Sequence, residues 1–371
     1  NHLMKIAITK LFGQNKFLYN IFCFFSNLLL KIIRIFLFGK DTSGPVAVIV
    51  LHRLGDTVFT IPALKIIISN FDSDVLIVCY PESKSILQLA FKDVRYLELE
   101  HSMFYFNDRI ATHQSRNKFR SFHPRIIFDL TGVMTSASLL FNSKASTIYG
   151  MTRRHFKGIY TQSVETNINL HCRDIYLEAI KPYFKIETDD NSIHSKPDIN
   201  GKILIAPFAG WEAKEWGLMN FISLTEKLLF SFDCYFITEK NKLTEDLKSH
   251  LISSKIKLIE TTTIDDLIAE IAKASILIGN DSGPVHIASL LGLATFTIYG
   301  PTNPLFSSPS GSFHTYIQKK IKCSPPKEKQ YCFTNAGRNG CSSFECMNQL
   351  TVDEVYLSVM KFLNEIANEG K

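Results

Sequence analysis

No Gly-x-Gly-x-x-Gly turn follows the first predicted strand of this 371-residue chain, so the signature a nicotinamide-dependent epimerase or dehydrogenase requires is missing. Its eight cysteines include no Cys-x2-Cys pair, which leaves the common zinc modules unsupported. Repetition at short period is absent too, and that excludes solenoids and propellers. Regular basic stripes interleaved with aromatics are lacking. A formal net charge of +6 over this length gives little support for nucleic acid and leaves phosphates, acidic sugars and anionic lipid as partners. With 46% apolar and 20% charged residues the chain folds rather than staying disordered, and its length suits two domains.

Asn1-His2-Leu3 ahead of Met4 reads as the remnant of a tag, with Met4 as the natural start, and no cleavable signal peptide is expected after it. A reducing compartment is the simpler expectation. From Phe17 to Phe38 the chain runs FLYNIFCFFSNLLLKIIRIFLF, whose only charges are Lys31 and Arg34. The stretch is long enough to span a bilayer, but both charges fall in its last third. Lys10, Lys16, Lys31, Arg34 and Lys40 flank or punctuate it, as for a helix lying on an anionic surface. Residues 4–44 are therefore read as an amphipathic or membrane-associated segment. The alternative is that Phe22, Phe25, Leu29 and Phe36 pack a helix onto the protein's own core or a partner subunit.

After the turn cluster Asp41–Pro45, the β-branched run Val46 to Leu51 suits a buried strand. Arg53-Leu54-Gly55-Asp56 follows, then a helix-like run from Pro62 through Ile68 and a strand over Val75 to Cys79. This is a βαβ unit, so ligands are expected at the carboxyl ends of parallel strands. Ile126 to Phe128, ending at Asp129, continues the series. Before it, His101 to Arg125 reads as a basic loop whose Arg109, Arg116, Lys118, Arg120 and Arg125 would draw an anionic partner toward the cleft, unless it is merely a solvated face. Strands at 203–205, 235–237 and 276–278, with helices at 221–230 and 264–274, predict a second lobe of the same kind. The fold class is thus α/β: two Rossmann-like doubly wound lobes with an intervening cleft. The expected boundaries are 45–188 for the first lobe, 189–200 for a polar linker, 201–350 for the second lobe and 351–371 for a terminal helix. That helix starts on a Thr351/Glu354 capping box and is expected to close back across the first lobe.

Chemistry concentrates in Gly279-Asn280-Asp281-Ser282-Gly283-Pro284-Val285-His286, between a strand and a helix start. There, free backbone N–H groups and the helix dipole face an anion. Asp281 suits sugar hydroxyls, and Ser282 and Gly283 permit close approach of a diphosphate. A second turn, Tyr299 to Pro304, contains Thr302. A third element, Gly210 to Trp216, offers Lys214 to offset diphosphate charge, with Trp211 or Trp216 as a stacking surface for a base unless they are packing side chains.

These motifs carry a resemblance. Arg53-Leu54-Gly55-Asp56 with Thr60 and Pro62, Gly210 to Trp216, and Asp281-Ser282-Gly283 with His286, Gly292 and Gly300-Pro301-Thr302 resemble the ADP-heptose:lipopolysaccharide heptosyltransferases. These are glycosyltransferase family 9 enzymes of the GT-B fold, and the likeness runs over about residues 46 to 360. It implies an inverting transferase with Asp56 as general base. The donor site would comprise Gly210, Trp211, Lys214, Asp281, Ser282, Gly283, His286 and Thr302; the acceptor side, Arg53, Arg109, Arg116 and Arg120. It also implies ADP-heptose as donor substrate, an anionic lipopolysaccharide core as acceptor, no metal and no further cofactor. Such an enzyme would work peripherally at the cytoplasmic side of the bacterial inner membrane. The segment 17–38 precedes the first motif and its role is not inherited. Two alternatives stand: a related GT-B transferase using another nucleotide sugar, and a noncatalytic membrane-associated glycan-binding protein that tolerates loss of Asp56.

Cys323, Cys332, Cys341 and Cys346 form a late cluster. Four sulfurs can bind zinc, pair as disulfides or remain packed thiols, and the spacing does not choose among these.

Overall fold

The structure is a computed structural model that describes residues 16–37, 40–41, 43–71, 74–100, 110–141, 143–151, 157–167, 169–186, 197–332, 341 and 343–368. Two compact units make it up. One comprises Asn1–His52, Thr60–Asn167 and Ile175–Ile186; the other comprises Arg53–Phe59, Ile168–Asp174 and Glu187–Lys371.

In the first unit a helix, α1 (Lys16–Leu37), precedes six parallel strands: β1 (Val46–Val50), β2 (Val75–Cys79), β3 (Arg95–Glu98), β4 (Ile126–Asp129), β5 (Thr147–Met151) and β6 (Gln162–Val164). Their order is β3-β2-β1-β4-β5-β6, and every pairing is parallel. β1 and β2 are buried at all positions, as strands covered on both faces must be, and their sequences VAVIV and VLIVC contain no polar side chain except a thiol. The connecting helices are α2 (Leu54–Ser69), α3 (Pro81–Ala90), α4 (His113–Ser121) and α5 (Met134–Leu140); α6 (Cys172–Ile180) follows β6.

The expectation of a helix from Pro62 is corrected in an instructive way. α2 begins eight residues earlier, so Asp56 sits in its first turn and Pro62 lies inside it. Part of the basic loop 101–125 is likewise a helix. Thr112 caps α4 by accepting the Ser115 N–H at 3.2 Å. Arg125 is tied down, donating from Nη1 to Gly44 O and to Asp74 Oδ2, both at 2.7 Å.

The second unit repeats the design with β7 (Ile203–Ala206), β8 (Cys234–Glu239), β9 (Lys257–Thr261), β10 (Ile276–Asn280), β11 (Ala294–Tyr299) and β12 (His314–Gln318), ordered β12-β11-β10-β7-β8-β9. Counted from β7, this is the same 3-2-1-4-5-6 winding as in the first unit, and all its pairings are parallel. Its helices are α7 (Leu218–Leu228), α8 (Glu245–Ser253), α9 (Ile264–Ile271), α10 (Gly283–Leu290), α11 (Pro304–Ser307), α12 (Glu345–Asn348) and α13 (Val352–Asn368).

The Thr351/Glu354 capping box forms as read. The Thr351 N–H donates to Glu354 Oε2 at 2.9 Å, and the Glu354 N–H to Thr351 Oγ1 at 3.3 Å. The stripe Val355, Val359, Phe362, Leu363 and Ile366 is buried in the core of the second unit with Phe296 and Ile298. Each such side chain contributes about 1.5–3 kcal/mol on burial.

Candidate functional site

Doubly wound sheets bind ligands where the strand order reverses, beyond the carboxyl ends of the two central strands. In the second unit these are β7 and β10, and the two chemical motifs leave from them. Gly210 to Trp216 follows β7, and Asp281 to His286 follows β10.

The loop after β7 is held from below. Trp216 is 1% exposed; its indole N–H donates to Leu350 O at 2.8 Å and its backbone N–H to Asn280 Oδ1 at 3.1 Å. Asn280 in turn donates to Pro207 O at 2.6 Å, stitching the two strand ends together. Trp216 is therefore a core side chain, and only Trp211 stays near the surface. Its half-buried ring lies 5.9 Å from that of Tyr331 and 5.3 Å from Lys214 Nζ. Glu215 closes the loop by accepting the Ala209 N–H at 3.0 Å. A Cβ on Gly210 would meet no atom, so the protein's own packing does not demand glycine there.

Lys214 Nζ donates to Asp281 Oδ2 at 2.6 Å, and Thr302 Oγ1 donates to the same oxygen at 2.6 Å. On the other side, His286 Nε2 lies 3.7 Å from Asp281 Oδ1. Asp281 and His286 are 3% and 5% exposed. Burial pushes the Asp281 carboxyl upward, but the Lys214 ammonium and His286 outweigh it and hold the group well below the usual carboxylate range. Ser282, two residues beyond β10 and extended, directs its hydroxyl to Asn280 O at 3.2 Å and stands at the N-cap position of α10 ahead of Gly283 and Pro284. The donor residues inferred from sequence thus converge, with Lys214, Asp281, Thr302 and His286 in one cluster.

The motif Arg53 to Asp56 belongs to the same unit. A Cβ on Gly55 would stand 2.8 Å from the His286 ring, and one on Gly283 would stand 3.1 Å from Leu54 Cβ, so the first turn of α2 presses against the first turn of α10. Phe59 packs edge-on against both His286 and His171, at centroid distances of 4.8 and 5.4 Å. Asp56 and Arg53 are exposed. Burial first, and then the charges of Asp56 and Asp281, push the Cys172 thiol far up.

Sequence reasoning missed His171, Cys172 and Phe59 as neighbours of this cluster. His171 Nε2 donates to Ser308 O, 2.9 Å away, and burial lowers its pKa. No motif surrounds them.

The remaining acceptor candidates lie in the first unit. Arg116 and Arg120 are half-buried and one turn apart on α4, and Arg109 is outside the described residues. In that unit the ends of β1 and β4 are tied by the Leu51 N–H donating to Thr131 Oγ1 at 2.9 Å. Asp129 accepts from Thr131 N, Gly132 N, Ser136 Oγ and Tyr160 OH.

The four late cysteines gather around one cavity, with Gly300 and Pro301 at its wall. All are thiols in the structure. Burial, and then the neighbouring thiols, raise Cys346 to about 11.

Known proteins are similar to this chain in sequence and in fold. Lipooligosaccharide heptosyltransferase 2 of Campylobacter jejuni serotype O:2 is 26% identical over 294 residues, covering 74% of this chain and 87% of that protein. Among solved structures, a family 9 glycosyl transferase from Veillonella parvula aligns with TM-score 0.70 at 16% identity, covering 88% of this chain and 99% of that one. The E. coli ADP-heptose lps heptosyltransferase II aligns with TM-score 0.62 at 13% identity, covering 86% and 99%. At these identities the two structures speak to the fold, two α/β lobes of the GT-B class. Glycosyltransferase family 9 (heptosyltransferase) matches residues 120–336, more than half the chain and inclusive of Lys214, Asp281 and Thr302. With that span, the winding of both sheets and the residues clustered beyond β7 and β10 in agreement, the chain belongs to glycosyltransferase family 9, the heptosyltransferase family.

Proposed function

We propose that this glycosyltransferase is an inverting enzyme that moves heptose from ADP-heptose to a lipopolysaccharide core acceptor. The observation that carries the reading is the Lys214–Asp281–Thr302 cluster at the switch point of the second sheet, with the exposed carboxylate of Asp56 in the same compact unit. Lys214 brings a positive charge to that cluster, suited to the charge that grows on a departing diphosphate. The backbone N–H groups of Ser282 and Gly283, where α10 opens, supply further donors. Trp211 with Tyr331 offers a platform for adenine, and Gly210 leaves room for close approach.

In the proposed step an acceptor hydroxyl oxygen attacks the anomeric carbon from the face opposite the nucleotide. Asp56 takes the hydroxyl proton, the bond from the anomeric carbon to the diphosphate oxygen breaks, and its electron pair leaves on ADP. A diphosphate stabilised this way needs no separate acid. Asp281 fixes Lys214 through Oδ2, and any contact it makes to the donor sugar falls to Oδ1. Arg53, Arg109, Arg116 and Arg120 are proposed for the anionic acceptor, and the site of work is the cytoplasmic side of the inner membrane.

The test is transfer of heptose from ADP-heptose to a heptose-deficient core acceptor, followed by mass spectrometry, with calorimetry of ADP, UDP, GDP and CMP beside it. Transfer with ADP preference supports the reading. Binding of UDP but not ADP would replace it with a GT-B transferase using a different donor.

A further inference from the structure

α1 is seated the wrong way round for a helix whose apolar residues serve the protein's own core. Cys23, Ser26, Asn27, Leu30, Ile33 and Arg34 recur at helical spacing and are the half-buried residues of this helix. On that face Asn27 Oδ1 accepts the Gly158 N–H at 2.9 Å, and Arg34 Nη2 donates to Ala145 O at 2.8 Å. The seat is close, since a Cβ on Gly158 would lie 2.1 Å from Asn27 O. Leu30 and Ile33 share a small cavity with Leu140, Phe141 and Ile159.

The opposite face holds Ile21, Phe24, Phe25, Leu28, Leu29 and Ile32, the same i, i+3, i+4, i+7 rhythm, and all six are exposed. Phe24 and Phe25 are 65% and 62% exposed, and they touch edge to face. The alternative that Phe25 and Leu29 pack on the protein's own core is therefore not what the chain does; Phe22 and Phe36 have side chains outside the described residues.

From these observations we infer that the outward face of α1 docks on an anionic lipid surface, with the helix lying in the interface. No described helix is long and apolar enough to cross a membrane. The charge pattern selects lipid over a second copy of the chain. α1 contains no acidic residue, Lys31 and Lys40 are exposed beside the apolar stripe, and Lys144 and Lys157 are exposed next to the residues that seat the helix. The acids nearby are Glu165, already 3.4 Å from Lys157 Nζ, and Asp41, 3.3 Å from His123. Pairing two such faces would set lysines against lysines, whereas anionic headgroups neutralise them while the acyl region takes the phenylalanines. The inference deepens the proposed location at an inner-membrane surface and rests on it only for the choice of lipid. Vesicle binding is read without donor or acceptor, so it succeeds or fails independently of transfer.

The experiment is flotation of the full chain with phosphatidylethanolamine–phosphatidylglycerol vesicles and with phosphatidylcholine vesicles. A variant carrying Phe24→Ser and Phe25→Ser, and a second carrying Lys31→Glu, accompany it. The expected result is co-flotation with the anionic vesicles, weakened at least roughly tenfold by the double serine variant and made less salt-dependent by Lys31→Glu. Both variants are expected to keep the circular dichroism and ADP affinity of the parent, because the changed side chains face solvent. Recovery equal to a lipid-free control overturns the inference. So does a dimer in sedimentation velocity that the serine variant dissolves while vesicle recovery stays unchanged.

Discussion

Lys214 Nζ stands 2.6 Å from Asp281 Oδ2, a contact between the loop after β7 and the loop after β10 that spans 67 residues of chain. Asp281 is nearly inaccessible, whereas the lysine side chain keeps 19% exposure. The ammonium is thus anchored on its buried side and open on the other.

Lys214→Ala is expected to act twice. Losing a charge-assisted contact costs about 1.5–3 kcal/mol, or roughly tenfold to hundredfold in ADP affinity. Leaving the Asp281 carboxylate buried without its cation costs about 3–5 kcal/mol of stability. Calorimetry and urea denaturation on one preparation check both. An unchanged ADP affinity in a folded variant removes Lys214 from the donor site.

The same pair predicts an acid limit. Asp281 is depressed below its unfolded value, so the pair's stabilisation is present above the unfolded carboxylate range, near pH 4, and is lost as pH falls further. Urea midpoints of the parent are expected to drop more steeply than those of Asp281→Asn between about pH 4 and pH 2.5. Parallel curves for the two proteins would reject the pair as the source.

Asp56→Asn preserves size and removes basicity. Turnover is expected to fall by about 10²- to 10⁴-fold, the usual worth of a general base, while ADP affinity stays within about twofold. Near-normal turnover in the folded variant would take Asp56 out of the base role and leave it as a residue of the first turn of α2.

Gly55→Ala tests packing against propensity. Alanine is the better helix former by about 1 kcal/mol, yet its Cβ would press on the His286 ring. Destabilisation of about 1–3 kcal/mol is expected, and the combined variant Gly55→Ala with His286→Ala should recover part of it. Thermal denaturation of the four proteins gives the coupling directly.

Much of this fold was legible in the linear chain because a parallel strand covered on both faces reads as an unbroken apolar run. β1, β2, β7 and β10 declare themselves in that way. β3 does not, since Arg95-Tyr96-Leu97-Glu98 is an edge strand whose side chains are mostly in water, and β6 is a three-residue edge. The start of α2 was misplaced because Pro62 imitates a first-turn proline. Of the site, the motifs after β7 and β10 could be read as turns that face an anion. That Lys214 grips Asp281 depends on which strands are neighbours, and spacing along a chain does not carry neighbourhood. Trp211 and Trp216 look alike in sequence and differ only because Leu350 and Asn280 hold the latter in the core. Phe59, His171 and Cys172 carried no local pattern.

One consequence concerns the order of synthesis. Arg53–Phe59 belongs to the second compact unit, yet it leaves the ribosome more than two hundred residues before His286, against which Gly55 and Phe59 pack. The nascent first sheet must form around a turn whose partner does not yet exist, and Phe59, 8% exposed in the finished protein, waits in water for it. Dividing the gene at the junction between the sheets would make that wait permanent, leaving Phe59 in the amino-terminal half without the His286 ring it packs against.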